Sequence, residues 1–339
     1  MHRPTTAHRP AGAGAPEAGD FPTYAAVDLG TNNCRLLVAR ARGSGFRVID
    51  AYSRIVRLGE GLAASGVLSE AAMDRTVAAL KICADKMRKR AVTHARSVAT
   101  EACRRAVNCA RFLERVECEA GISLEIISPT EEAELAFRGC APLLAHEPDR
   151  AILFDIGGGS TEVGWLAVRP GGRIQVIASL SLPLGVVTLA ERHGSGPYDG
   201  AAYEAMVGDV AAGLAPLEAM HAIAAEVAQG RVQMLGSSGT VTTLSGIRMN
   251  LPRYDRSAVD GSWLEFATIL EITRDLARMT CADRARQPCI GRDRADLVVA
   301  GCAILEAICR LWPVGRVRVA DRGLREGILF GLIAAAAVG

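Results

Sequence analysis

Two short loops in the chain are copies of one another, Asp28-Leu29-Gly30-Thr31-Asn32 and Asp155-Ile156-Gly157-Gly158-Gly159-Ser160-Thr161, with their aspartates 127 residues apart. Each follows a short apolar run, 24–27 and 151–154, and precedes a second run of β-branched or apolar residues, which places each at the tip of a hairpin. Glycine there lets the backbone turn and come close to a ligand, because it has no Cβ and tolerates positive φ. Successive exposed N–H groups in such a turn form a concavity for anions. An aspartate beside a phosphate cradle is repulsive unless a cation lies between them. The two loops together point to phosphate plus a divalent metal.

The same order of elements surrounds each loop. The first half predicts strands at 24–28, 34–40 and 46–51, with Gly43-Ser44-Gly45 as a turn, then a helix over 69–90 and a strand over 95–99. A helix from Asn108 as N-cap to Gly121 as stop and a strand over 124–127 complete it. The second half predicts strands at 150–155, 162–168 and 173–181, with Pro170-Gly171-Gly172 as a turn, helix over 199–228 and a strand over 231–235. Helices at 239–248, 262–279 and 293–311, a strand over 317–320 and a helix over 322–337 follow. Three strands, helix, strand, helix, twice over, predicts an α/β protein of two similar lobes facing each other across a central cleft. The ligand belongs in that cleft. At 339 residues the chain suits two cores better than one. The expected division is a disordered tail over 1–23, lobe I over 24–128 joined by the closing helix 322–339, and lobe II over 129–321.

Composition narrows the partners. A net charge of +2 gives no bulk attraction for nucleic acid, and aromatic residues at 4% leave little for stacking on bases. The ten cysteines form no C-x-x-C pair, which favours buried free thiols in a reducing cytoplasm. The first twenty or so residues lack the apolar core of a signal peptide, and the apolar run 327–339 is shorter than the ~20 residues that span a bilayer. That run is expected as a buried helix end. Neither nucleic acid nor membrane is an expected partner, and the six histidines show no metal-ligand spacing.

Ser128-Pro129-Thr130-Glu131-Glu132-Ala133 is a strong helix start, with Ser128 as N-cap, Pro129 at the first helical position and Glu131 placed to reach back to the cap. Glu132 has no capping duty. It lies about 100° further round the helix, beside the apolar line of Ala133, Ala136, Phe137 and Cys140, from where it can project into the cleft. A solvated first-turn glutamate favoured by the helix dipole is the alternative. Asp155 and Glu162 flank the second glycine turn and become neighbours across it. Two carboxylates so close repel unless a cation is bound, a salt-bridged hairpin being the alternative.

Together these residues resemble the exopolyphosphatase and guanosine pentaphosphate phosphohydrolase family, within the superfamily of acetate kinase, sugar kinases, heat-shock-70 proteins and actin. The matching blocks are 26–32, Ala99-Thr100-Glu101-Ala102-Cys103-Arg104, Ile127-Ser128 with Glu131-Glu132-Ala133, 155–162, Leu184-Gly185-Val186-Val187, Gly236-Ser237-Ser238-Gly239-Thr240 and Asp321-Arg322-Gly323-Leu324-Arg325-Glu326-Gly327. The resemblance implies two ribonuclease-H-like lobes of the actin-like ATPase kind and a Mg²⁺-dependent hydrolase. Such an enzyme removes the terminal phosphate of inorganic polyphosphate, with guanosine pentaphosphate as alternative substrate. An ATP-dependent kinase or ATPase, or a sensor without turnover, are the competing readings. By the same resemblance Glu132 is the general base and Asp155 and Glu162 are further essential acids; these two are expected to hold the metal directly or through waters, with Asp28 across the cleft as a secondary metal or water-shell residue. Backbone of 30–32, 157–160 and 236–239 would cradle phosphate, and Arg104 would bind it. Two blocks depart from the usual pattern: Thr31-Asn32-Asn33 lacks a hydroxyl at 33, and Gly236-Ser237-Ser238-Gly239 has lost one glycine. Related two-lobed proteins commonly form homodimers.

Overall fold

The computed structural model describes residues 22–338 apart from Ser44, Gly171, Gly172 and Ser195. One sheet takes β1 (Thr23–Leu29), β2 (Asn33–Arg42), β3 (Gly45–Ile55), β4 (His94–Ala99) and β5 (Glu125–Ile126) in the order β3-β2-β1-β4-β5. The other takes β6 (Arg150–Ile156), β7 (Thr161–Arg169), β8 (Arg173–Leu182), β9 (Val232–Ser238), β10 (Trp263–Glu265) and β11 (Arg316–Ala320) in the order β10-β11-β9-β6-β7-β8. In each, three antiparallel hairpin strands are extended by parallel ones, β4 on β1 and β9 on β6. The α/β plan of two like lobes is therefore present.

Several elements differ from expectation. The helix expected over 262–279 opens as β10, where half-exposed Trp263 and exposed Glu265 flank buried Leu264, a period of two that a 3.6-residue pattern hides. The helix over 199–228 breaks at Ala222, whose left-handed φ of 47° ends Gly200–His221 and starts Ile223–Ala228. Residues 293–297 are turns, and the helix there is Val298–Leu311. Asn108 makes no capping hydrogen bond; its side-chain amide clamps Leu68 instead, accepting from the Leu68 N–H and donating to its carbonyl, each at 2.9 Å. Most of the tail 1–23 and parts of the turns at 43–45 and 170–172 lie outside the described residues, and Thr23 already belongs to β1. The closing helix Leu324–Val338 is buried in its first turns only, and 334–337 are exposed.

The lobes are tied by two helices. Strand β1 is apolar on both faces because both are covered: Ala25, Val27 and Leu29 meet the core around Met73, Leu80 and Phe112, while Tyr24 and Ala26 meet Leu324, Ile328 and Leu329 of the closing helix. The junction helix Pro129–Cys140 leaves lobe I and packs Ala133, Ala136, Phe137 and Cys140 on Leu153, Leu166 and Leu235 of lobe II. The two helices cross with their backbones in contact. A Cβ on Gly139 would lie 1.9 Å from the Gly323 carbonyl oxygen, and one on Gly327 would lie 1.9 Å from that of Leu135.

Candidate active site

The twin loops close in the same way. The N–H of Gly30 donates to the Asn33 carbonyl and that of Gly157 to the Ser160 carbonyl, both at 2.9 Å. The equivalence runs on into the strands: Asp28 stands opposite Arg35 in the β1–β2 register, and Asp155 opposite Glu162 in β6–β7. The same position thus carries a guanidinium in lobe I and a carboxylate in lobe II. Positive φ is not the reason for the glycines, since none of Gly30, Gly157, Gly158, Gly159 or Gly239 has it. Space is. A Cβ on Gly159 would sit 2.6 Å from Thr31 Oγ1, and one on Gly158 would sit 3.1 Å from the Asn32 nitrogen, so the two loop tips meet across the cleft. Gly185 presses on them from behind, its Val186 and Val187 neighbours donating N–H groups to the Gly157 and Gly158 carbonyls at 3.0 and 2.8 Å.

That arrangement leaves polar groups without partners. Among the described residues the N–H groups of Thr31, Asn32, Gly158 and Gly159 donate to no protein acceptor. Thr31 Oγ1 and Asn32 Oδ1 are buried with no hydrogen bond. Buried polar groups are normally satisfied, so orphans gathered at two meeting loops mark a place for a polar ligand. Only part of the third loop joins them. Gly236 packs on the Phe154 ring, and Ser237 Oγ donates to the Arg322 carbonyl at 2.8 Å and stands beside the Asp155 carboxylate, which its hydroxyl stabilises, both within β9 and outside the cavity lining. The cradle expected from 236–239 is corrected to Ser238, Gly239 and Thr240. There Ser238 caps the helix Gly239–Arg248 by accepting from the Val241 N–H at 2.9 Å, and the helix N-terminus suits an anion.

Asp28, Glu132, Asp155 and Glu162 line one cavity with Arg35 and Arg294. Glu132 is no solvated glutamate. Its side chain keeps 14% of its exposure and accepts from Arg104 Nη1 at 2.8 Å. Ser128 caps the helix as expected, while the Glu131 carboxylate pairs with Arg96 at 2.6 Å instead of reaching back. Arg104 departs further from expectation. Its Nε and Nη2 donate to Glu101, and its Nη1 donates to Glu132 and to the Ile127 carbonyl, so it does not line the cavity. The residue expected to grip phosphate thus holds Glu132 in place. Glu162, 2% exposed, is fixed by hydroxyl donors from Ser160 at 2.7 Å and Ser181 at 3.0 Å.

Burial makes every one of these carboxylates reluctant to ionise. Asp155 is pushed up to about 7 by burial and by Glu162, against the pull of Arg35. Glu132 is raised by burial and by Glu162, with Arg104 opposing. Burial raises Glu162 against its two serine donors, and raises Asp28 against Arg35 and Arg325. Asp28 and Asp155 remain half-exposed only because the cavity reaches them. Such groups hold protons in the folded state that the unfolded chain has already released. Stability is then full near pH 4 and is lost as pH rises toward 7. Asp155 alone accounts for up to about 4 kcal/mol of this loss. In chelator, the melting temperature is expected to fall between pH 5 and 8 and to fall less in Asp155→Asn. Parallel profiles would refute the assignment.

Among the described residues no three His, Cys, Asp or Glu side chains are placed to hold a metal by themselves. Mg²⁺ does not require that, since it keeps several waters and takes one or two carboxylates plus substrate phosphate. Asp155, Asp28 and the unsatisfied Asn32 Oδ1 are oxygen donors of that kind. Arg35, Thr100, Glu101 and Arg294 also line the cavity. Arg35 had a signal in the sequence, because it is the counterpart of Glu162 at the same 127-residue offset. Arg294 is half-buried with no ion pair among the described residues, and desolvation and then Arg35 hold its pKa down.

Known proteins resemble this chain in sequence and in fold. The chain is 32% identical over 326 residues to "Exopolyphosphatase 2" of Mycobacterium tuberculosis, covering 91% of this chain and 98% of that one. It is 30% identical over 317 residues to "Guanosine-5'-triphosphate,3'-diphosphate pyrophosphatase" of Aeromonas salmonicida, covering 92% of this chain and only 60% of that one. The crystal structure of an exopolyphosphatase from Cytophaga hutchinsonii superposes with a TM-score of 0.82 at 25% identity, over 92% of this chain and 98% of that one. The family model for the Ppx/GppA phosphatases matches residues 37–336, and with two lobes, twin loops and a half-buried Glu132 in place, the chain belongs to the Ppx/GppA phosphatase family.

Proposed function

We propose that the protein hydrolyses the terminal phosphoanhydride of inorganic polyphosphate and releases orthophosphate. Glu132 carries this reading: a half-buried carboxylate held by Arg104 at a cleft whose walls are two phosphate-type loops. A sensor has no need of such a base. The terminal phosphate would rest on the free N–H groups of Thr31, Asn32, Gly158 and Gly159. A water oxygen bonds to its phosphorus, the bridging P–O bond breaks, and the water proton passes to Glu132. Burial and Glu162 strengthen Glu132 as a proton acceptor, while the Arg104 hydrogen bond orients it and opposes part of that shift. Arg35 and Arg294 face the charge left on the departing chain. Asp155 and Asp28 would hold Mg²⁺ with the Asn32 Oδ1, and Glu162 through water, and the ion would supply charge neutralisation on the phosphoryl oxygens. The ten free cysteines suit a reducing cytoplasm.

The relatives from Aeromonas support guanosine pentaphosphate as a second substrate. One assay separates the readings: phosphate release with Mg²⁺ from long polyphosphate, guanosine pentaphosphate and ATP, side by side. Polyphosphate is expected to be turned over fastest. Release from neither of the first two would overturn the proposal, and release from ATP alone would favour a kinase or ATPase.

A further inference from the structure

We propose that the catalytic cavity opens into a second binding site, an arginine-lined groove between the lobes that takes the inner phosphates of a linear polyphosphate, with Arg54 and Arg292 setting chain-length preference. The inference rests on the polyphosphate reading above and deepens it. The groove and the cavity share Arg294 as a common wall, so a chain whose end lies on the twin loops has a continuous way out past that guanidinium. Lobe I contributes Arg54 at the end of β3, next to Ser53, which stands opposite Arg35 in the register. Lobe II contributes Arg292 from the turn before Val298–Leu311. Continuity with the cavity runs through lobe II, from Arg294 to Arg292, while Arg54 lines the groove from the sheet face opposite to that of Arg35.

The charges in this groove are only partly balanced by the protein, because Glu60 and Asp293 share it with five arginines. Arg57 is occupied by Asp296 at 2.9 Å and Arg75 by Glu60 at 2.9 Å. Arg54, Arg292 and Arg294 make no ion pair among the described residues. Three guanidiniums without an ion pair, set against the single carboxylate of Asp293, leave the groove net positive and favour a polyanion. Their planar forks match phosphate oxygens. No aromatic side chain lines the groove, which leaves nothing for a guanine base to stack on. Arg57 ties the groove to the reaction: its N–H donates to the Asn32 carbonyl at 3.1 Å while its side chain spans to lobe II. The structure therefore favours a chain of phosphates over a nucleotide as the long substrate.

The test is the Arg54→Ala/Arg292→Ala double variant of the full chain, assayed with tripolyphosphate and with chains of several hundred phosphates. The expected result is a KM for long chains raised about tenfold or more, from the loss of two charge-assisted contacts. The KM for tripolyphosphate, too short to reach the groove, should change far less, and the salt dependence of long-chain binding should become shallower. Equal changes for both lengths, or none for long chains, would overturn the groove. Binding of both chain lengths is measured in parallel on protein carrying Glu132→Gln, with and without the two arginines. If the unaltered protein releases no phosphate but long chains bind and the double variant weakens them, the groove stands and the hydrolase reading falls. If long chains bind no tighter than tripolyphosphate, the groove falls whatever the activity.

Discussion

Glu132→Gln is expected to lower phosphate release by about a hundredfold to ten-thousandfold, the usual contribution of a positioned general base. The fold should survive. Glutamine keeps the shape of the side chain, and its carbonyl can still accept from Arg104 Nη1, the bond now 2.8 Å long. Arg104 also retains both of its bonds to Glu101, so the loss of one charge does not leave it unpaired. What glutamine cannot do is accept the proton of the attacking water. An unchanged melting temperature and undiminished polyphosphate binding, with phosphate release close to zero, would support the role. Phosphate release within tenfold of the parent would remove Glu132 as the base and leave Asp155, already at about 7, as the next group to test.

The second large effect lies far from the chemistry. Gly327→Ala adds one methyl group where the closing helix meets the junction helix, 1.9 Å from the Leu135 carbonyl oxygen. Backbone cannot rotate aside as a side chain does. The helices must separate, opening the packed surface of Leu135, Leu324 and Ile328 in the lobe I core. A loss of about 3 kcal/mol, or roughly 5–10 °C in melting temperature, is expected. Gly331→Ala, one turn along the same helix, is the matching control. Its Cβ would meet only Arg138 Nη1 at 3.7 Å, an ordinary contact, and alanine favours helix over glycine by up to about 1 kcal/mol. Calorimetry should show opposite signs for the two variants. Equal melting temperatures would mean that the crossing yields more easily than the backbone contact implies.

These sites differ in how far sequence revealed them. The twin loops, the Ser128 cap and the placement of Glu132 could be read because each follows from local spacing. The register that sets Asp155 against Glu162 follows from hairpin geometry. The bonds of Arg104 to Glu132 and to the Ile127 carbonyl were not legible, because those partners are brought to it by folding rather than by sequence spacing. Gly236 was read as a cradle residue because a glycine beside serines resembles a phosphate loop. In the fold it makes room for the Phe154 ring, a requirement of the neighbouring strand that periodicity does not express. Trp263–Glu265 was hidden in a helical pattern because three residues are too few to show a period of two. Arg35 and Arg294 meet only when the lobes close on each other.

The exchange of helices between the lobes bears on how the chain is made. Translation delivers β1 to β5 early, yet one face of that sheet, with Tyr24, Ala26 and Leu37, is covered by Leu324, Ile328 and Leu329. At about 5–20 residues per second, the ribosome needs on the order of ten seconds or more to travel from the first lobe to those residues. Throughout that time the nascent sheet carries an open apolar face. The glycine crossing is thus a late step of biosynthesis, and the interval before it is when a holding chaperone would have most to bind.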